Sequence, residues 1–261
     1  MSIERFDDRG RIEAFLRRDA ELHAYSLGDL DDFFWPYVRC YGRQEDGKIR
    51  DVVLLYAGKG LPTLMAISRQ PAIARRLLAQ VAPRLPKLFY AHLSPGMEEG
   101  LDEGYAIESH GPHDKMSLRD PGAVRTVDCS RAFQLTAGDA DELLRLYEES
   151  HPGNWFDLRL LQTGQYFGVR ERGRLVSAAG VHVYSERYRV AALGNIVTHP
   201  ACRNRGYATQ ATARLCQALL PKVEHIGLNV KADNARAIAC YRKLGFEIVA
   251  PYGEFTIAAR T

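Results

Sequence analysis

Apolar and polar positions in the second half of the chain switch between a strand period and a helix period in a definite order. "RAFQLTAGDADELLRLYEES" opens as a short strand, and Thr136 or Asp139 then caps a helix whose Leu143, Leu144 and Tyr147 share one face. "QYFGVRERGRLVSAAGVHVY" reads as two strands around a Glu171–Arg172–Gly173 turn. "RYRVAALGNIVTHP" is another strand, closed by Pro200. A helix from about 206 to 220 follows and stops at Pro221. "VEHIGLNV" is a strand, "DNARAIACYRKLG" a helix that Asn234 caps and Gly245 ends, and "FEIVAPYGEFTIAAR" supplies the last strand or strands. The order is a β-meander, then βαβ, then a closing strand.

The first half repeats this plan more faintly. "IRDVVLLYAG" and "LPTLMAIS" read as strands, and "RQPAIARRLLAQVAPRL" as a helix with Ile73, Leu77, Leu78 and Val81 on its apolar face. "KLFYAHL" is a strand, and "EEGLDEGYAIESHG" ends the unit. "RQPAIA" at 69–74 sits where "RNRGYA" sits at 203–208, and "LDEGYAIESHG" matches "RKLGFEIVAPYG" in place, which suggests an internal duplication. The fold class is therefore mixed α/β, with two domains of twisted mixed sheet flanked by helices. Their spans are 1–122 and 126–261, joined at the Pro–Gly-bearing "RDPGAVRTVD". The aromatic and acidic "AYSLGDLDDFFWPY" at 24–37 has no readable role.

Composition narrows the function classes. The 261 residues carry a formal net charge of only +3, with no dense basic block, which argues against nucleic acid as a partner. No apolar run approaches the ~20 residues of a spanning helix, and the charged "MSIERFDDRG" lacks a secretory signal. Five widely spaced cysteines with no CxxC fit reduced thiols in the cytoplasm, not a disulfide framework or zinc site.

The turn "RNRGYATQ" carries the chemistry. A helix N-terminus leaves its first amides without partners, and the peptide dipoles add positive charge there. Gly206 has no Cβ, so an anion can reach the backbone, while Arg203 and Arg205 offer charged forks. The result is an anion cradle suited to a pyrophosphate. Gly194 inside the preceding strand marks a bulge that would splay this strand from "IGLNV" and leave Val197 and Thr198 open to an amide-bearing ligand. A pyrophosphate joined to an amide-bearing arm is coenzyme A. Without these neighbours, the turn reads equally as an ordinary surface loop.

Two motifs carry a family resemblance. Arg203–Asn204–Arg205–Gly206–Tyr207–Ala208 is similar to the Arg/Gln-x-x-Gly-x-Gly/Ala pattern, and "NARAIACYRKLGF" to an Asn, a short gap, then Tyr before Leu–Gly–Phe. In that order, about 131 to 249 resembles the GNAT superfamily of CoA-dependent N-acyltransferases. The first half resembles a degenerate unit of the same kind, because "RQPAIA" has Ala72 for the glycine and Pro71 without an N–H. The resemblance implies acetyl-CoA or another short acyl-CoA as cosubstrate, an amine acceptor, no metal, and a monomer or homodimer. It places Val197 and Thr198, with Ile196 on the same strand, along the pantetheine arm. It places the amides of Arg203, Asn204, Arg205, Gly206, Tyr207, Ala208 and Thr209 on the pyrophosphate, and Asn234 and Tyr241 at the reactive end; Asn229 completes the CoA-binding set.

In direct transfer, an amine must lose a proton, an oxyanion needs donors, and the leaving thiolate needs a proton. The N–H near Val197 is the oxyanion candidate, and Tyr241 the acid, with an ordinary phenol pKa of about 10. Asn234 and Tyr241 lie two helical turns apart on one face. Tyr241 also fits as a core aromatic and Asn234 as a simple cap. Some family members place a Glu on the strand before the turn; here Ala191 and Ala192 stand there, so a base must lie elsewhere. His182 is the best-placed titratable group, though it also fits as a half-buried structural histidine; Glu186 is weaker, and Asn195 could orient only water. His151 and Trp155 fall where the family shapes its acceptor pocket. "HGPHD" at 110–114 reads as a loop, not a metal site, and Cys202 lacks a His partner. A sensor that binds acyl-CoA without turnover is the alternative, and a tRNA-dependent aminoacyl-transferase fits the intact turn poorly.

Overall fold

The computed structural model describes residues 3–58, 60–101 and 103–260. By packing, the chain divides into two units, one of 1–115, 230–234 and 248–261 and the other of 116–229 and 235–247. The first switch falls just before the predicted junction, but the final strand returns to the first unit, which a contiguous 126–261 domain does not anticipate. Asp102, in the "LDEGYAIESHG" repeat, lies outside the described residues.

In the first unit, β1 (Glu4–Phe6), α1 (Arg9–Leu16) and α2 (Ala24–Gly28) precede β2 (Val38–Glu45), β3 (Lys48–Tyr56) and β4 (Thr63–Ala66). Then come α3 (Pro71–Val81), β5 (Leu88–Leu93) and β6 (Tyr105–Leu118). β1 to β4 are antiparallel neighbours, and β4 pairs in parallel with β5 after the α3 crossover. The C-terminal strand then joins the free side of β5. The helix α3 forms because its apolar residues recur at helical spacing. It buries Ala74, Leu77, Leu78 and Val81 against Phe89, Ala91 and Leu93 of the sheet. Ile73, expected on that face, is 43% exposed, and its neighbour Ala74 takes the buried position instead.

In the second unit, α4 (Pro121–Arg125) leads to β7 (Ala132–Gln134), α5 (Ala140–Ser150), β8 (Phe167–Glu171), β9 (Arg174–Ser185) and β10 (Val190–Thr198). α6 (Tyr207–Leu219), β11 (His225–Lys231), α7 (Ala235–Lys243) and β12 (Phe246–Ala259) complete the chain. β7 to β10 are antiparallel neighbours, and β10 pairs in parallel with β11 after the α6 crossover. This is the connectivity of β1 to β5, so each unit carries one copy of the same plan.

Local sequence explains the second unit's elements. Thr136 and Asp139 form a reciprocal capping box at the start of α5, each side chain satisfying the other's backbone N–H. Leu143, Leu146 and Tyr147 are the buried face of α5, while Leu144 is 41% exposed, contrary to the expected face. The β8–β9 turn places Arg172 and Gly173 at φ 51° and 79°, the left-handed pair of a tight hairpin. Gly245 ends α7 at φ 86°, and a Cβ there would sit 2.2 Å from the Asp120 carbonyl oxygen.

Candidate active site

The parallel ladder between β10 and β11 runs from Val190–His225 to Leu193–Leu228 and stops. At Gly194 the β9–β10 register slips, and pairing with β9 resumes only at Val197–Ala178. Asn195 occupies this bulge at φ 54°, a left-handed conformation that asparagine tolerates better than most residues. The edge of β10 that faced β11 is therefore without a strand partner from Gly194 to Thr198. Ile196, Val197 and Thr198 lie along this fork, and Asn229 is the first residue past it on β11. On the closed side, the Val197 carbonyl accepts the Ser177 hydroxyl at 2.8 Å, which ties the bulged strand to β9.

Beyond Thr198 the chain turns through Asn204 at φ 63° and Gly206 at φ 77° into α6. No heavy atom lies within 4 Å of where a Gly206 Cβ would stand, so the backbone faces open space. The first helical hydrogen bond runs from the Gln210 N–H to the Gly206 carbonyl. The amides of Tyr207, Ala208 and Thr209 have no partner within the helix, and no side chain caps it. Arg203, Asn204, Arg205 and Gly206 are exposed, whereas Tyr207 is buried. This donor set fits a diphosphate: oriented amides at a helix N-terminus, a missing Cβ and adjacent positive charge.

The two arginines differ. Arg203 Nε donates to the Thr198 carbonyl at 3.3 Å and stays at the turn. Arg205 reaches both Glu171 oxygens at 3.0 Å, on the β8–β9 side, so its fork is engaged by a carboxylate. The Tyr207 hydroxyl, with Arg205 behind it, holds the Glu171 carboxyl below its usual range. Thus amides, more than free guanidinium groups, make the cradle.

His182 and Tyr241 flank the fork differently. A Cβ on Gly194 would stand 1.9 Å from His182 Cδ2 and 2.2 Å from Nε2. The imidazole therefore lies across β10 at the glycine where the fork begins. The Trp155 ring is 5.8 Å from it. Tyr241 is buried beside Phe246, ring centroids 6.1 Å apart, and its hydroxyl makes no hydrogen bond among the described residues. Burial, with Cys240 and Cys216 nearby, pushes its phenol above the ordinary value the sequence suggested, so the group stays protonated. Asn234 immediately precedes α7, and its N–H bonds the Lys231 carbonyl at 2.9 Å. Glu186, in the β9–β10 turn, accepts the Tyr184 hydroxyl and stands 3.5 Å from the Lys222 ammonium.

The polar network around Asn195 was not anticipated from the sequence. Tyr166, Tyr147 and Asn154 all bond it. The one available signal was Gly180, paired opposite Gly194, whose Cβ would collide with the Tyr166 ring at 2.0 Å. "HGPHD" lies inside β6, not in a loop: the strand runs on through Gly111 at φ 91°. There His110 bonds the Thr256 hydroxyl at 2.7 Å, and His92 and His113 stand 3.6 and 3.4 Å from the Glu254 carboxylate. No metal-holding group of three His, Cys, Asp or Glu occurs among the described residues.

The first unit's counterpart is closed. β4 and β5 stay paired through Ala66–Leu93, and the ladder is extended by the Ser94 N–H to the Ala66 carbonyl at 3.1 Å. The Ser94 hydroxyl accepts the Ser68 N–H and donates to the Ser68 carbonyl, while the Gln70 N–H turns to the Ser68 hydroxyl. Pro71 contributes no N–H at all.

Comparison with known proteins agrees with this asymmetry. Residues 132–246 match the model of the acetyltransferase (GNAT) family. Solved structures similar along nearly the whole chain include a GNAT acetyltransferase from Colwellia psychrerythraea, 12% identical, covering 99% of this chain and 100% of that one at a TM-score of 0.57. A GCN5-related N-acetyltransferase from Sphaerobacter thermophilus is 13% identical over 97% and 95%, TM-score 0.60. A tandem GNAT protein from the clavulanic acid biosynthesis pathway is 17% identical over 99% and 98%, TM-score 0.55. At these identities the likeness concerns the fold. No curated protein matches the sequence significantly.

Proposed function

We propose that the second unit, within which residues 132–246 match the acetyltransferase (GNAT) family model, transfers an acetyl or other short acyl group from coenzyme A to an amine, by direct attack. The observation that carries this reading is the fork that opens at Gly194 and leads straight to the uncapped N-terminus of α6. The pantetheine arm pairs with the freed edge at Ile196, Val197 and Thr198. The pyrophosphate takes the amides of 203–209, with Asn229 and Asn234 completing the cofactor contacts.

The bound thioester supplies an activated acyl carbon. His182, reaching across Gly194, accepts the amine's proton directly or through water. The amide near Val197 donates to the oxygen that gains charge. Tyr241, kept protonated by burial and with an unengaged hydroxyl, gives a hydrogen bond or its proton to the departing sulfur. With Ala191 and Ala192 where some family members have an acid, His182 is the imidazole that lies against Gly194 at the start of the fork.

Release of free thiol from acetyl-CoA in the presence of a panel of primary amines tests the reading. We expect amine-dependent release, reduced about 100-fold or more in kcat by His182→Ala and at least tenfold by Tyr241→Phe, with coenzyme A affinity unchanged. Tight binding with no release for any amine would identify a sensor instead, a reading that the absent strand acid also fits.

A further inference from the structure

Three elements of the second unit converge on Asn195, a residue that performs no step of the transfer. Its Nδ2 donates to the Tyr166 hydroxyl at 2.9 Å, and its Oδ1 accepts Asn154 Nδ2 at 2.8 Å. Its carbonyl accepts the Tyr147 hydroxyl of α5 at 3.2 Å. Tyr166 in turn donates to the Val181 carbonyl at 2.7 Å. Asn195 is 5% exposed and held at φ 54°, a conformation that persists only where its surroundings over-determine it.

These bonds link two parts of the site that also meet through aromatic rings. On one side is the bulge, which opens β10 away from β11. On the other is the loop 151–157, which carries Asn154 and, next to it, Trp155, 39% exposed and facing His182. Gly180 and Gly194 stand opposite each other in β9 and β10, and both have given up a side chain to a ring: Tyr166 over the first, His182 over the second. Tyr166, His182, Trp155 and Asn154 thus gather around the residue that sets the fork.

We propose that Asn195 is a positioning residue, and that its bond to Asn154 latches the loop 151–157, and with it Trp155, to the bulge that forms the fork. The proposal rests on the reading of the second unit as an acyltransferase. In function, this polar pair fixes the wall of the amine pocket beside His182 relative to the acyl carbon, and a ligand that stiffens the bulge also stiffens the loop. Asn154→Ala removes the pair and leaves ring packing of Trp155 on His182 and of Phe156 on Tyr147 and Tyr166.

The chain has two tryptophans, so Trp35→Phe leaves Trp155 as the sole indole reporter. In that background, acrylamide quenching of Trp155 is measured with and without saturating coenzyme A, beside calorimetric affinity for coenzyme A. We expect coenzyme A to lower the quenching constant of the parent. Asn154→Ala should raise the ligand-free constant about twofold or more and abolish the response to coenzyme A, with affinity within threefold and an unchanged melting temperature. In an Asn195→Gly background, which tolerates the left-handed conformation, adding Asn154→Ala should change nothing further. Equal quenching and equal response in the Asn154→Ala and parent proteins would overturn the latch. Failure of the parent to bind coenzyme A would instead remove the acyltransferase reading, and the ligand-free comparison would still decide whether Asn154 holds the loop.

Discussion

At the scale of single residues, the site is defined as much by missing side chains as by reactive ones. Gly194 gives its space to an imidazole, Gly180 to a phenol ring, and Gly206 to open solvent. A methyl at Gly194 collides with the movable end of His182, not with backbone, so it displaces the imidazole without breaking the strand. Gly194→Ala should therefore lower kcat about tenfold or more while leaving coenzyme A affinity within threefold and the melting temperature nearly unchanged. Full activity in this variant would show that His182 need not lie across β10 and would remove it as the base. The glycines themselves were legible in the sequence. Their partners were not, because the rings that fill the places of the missing Cβ atoms, His182 and Tyr166, come from 12 and 14 positions away and meet the glycines only in the fold.

At the scale of elements, the same physics that made some strands readable hid others. α5 announced itself because Thr136 and Asp139 satisfy both orphan N–H groups at its start. The register of buried positions was less secure: Leu144 and Ile73 point outward, since a helical face is wide enough for neighbouring apolar residues to exchange places. β6 was hidden by Gly111 and Pro112, which look like a breaker but sit within one continuous strand. That strand delivers Lys115 to a buried position between the Tyr25 and Tyr252 rings, 4.9 and 5.1 Å from their centroids. Burial lowers its ammonium from 10.5 to about 8, with Glu254 opposing the shift. The unfolded chain holds that proton up to about 10.5, so between the two values it binds more protons than the folded one, and stability rises with pH across this window. Below about 8 the full cost is present, of order 3 kcal/mol at 1.36 kcal/mol per unit. Lys115→Met should remove this pH dependence, so that urea unfolding at pH 7 and pH 9.5 differs less in the variant than in the parent. An equal difference in both proteins would contradict the burial of a strained ammonium.

At the scale of the whole molecule, one plan is used twice and kept open once. In both units a meander leads through a crossover helix to a parallel strand. Ser94, Ser68 and Pro71 close the first copy; Gly194, Asn195 and Gly206 open the second. The duplication and the loss of the first cradle could be read from Ala72 and Pro71 in "RQPAIA", because a missing donor is visible in the sequence. The closure by Ser94 could not, since it needs a hydroxyl from the next strand. Nor could the return of 248–261 to the first unit, because a strand's period shows its faces and not its neighbour. On the proposed reading, coenzyme A has one seat per chain, at the open copy. Calorimetric titration of the full chain with coenzyme A, in parallel with Gly206→Leu, tests it most directly. One molecule bound per chain, weakened at least tenfold by the substitution, is the predicted result; two per chain, none, or binding indifferent to residue 206 would contradict it.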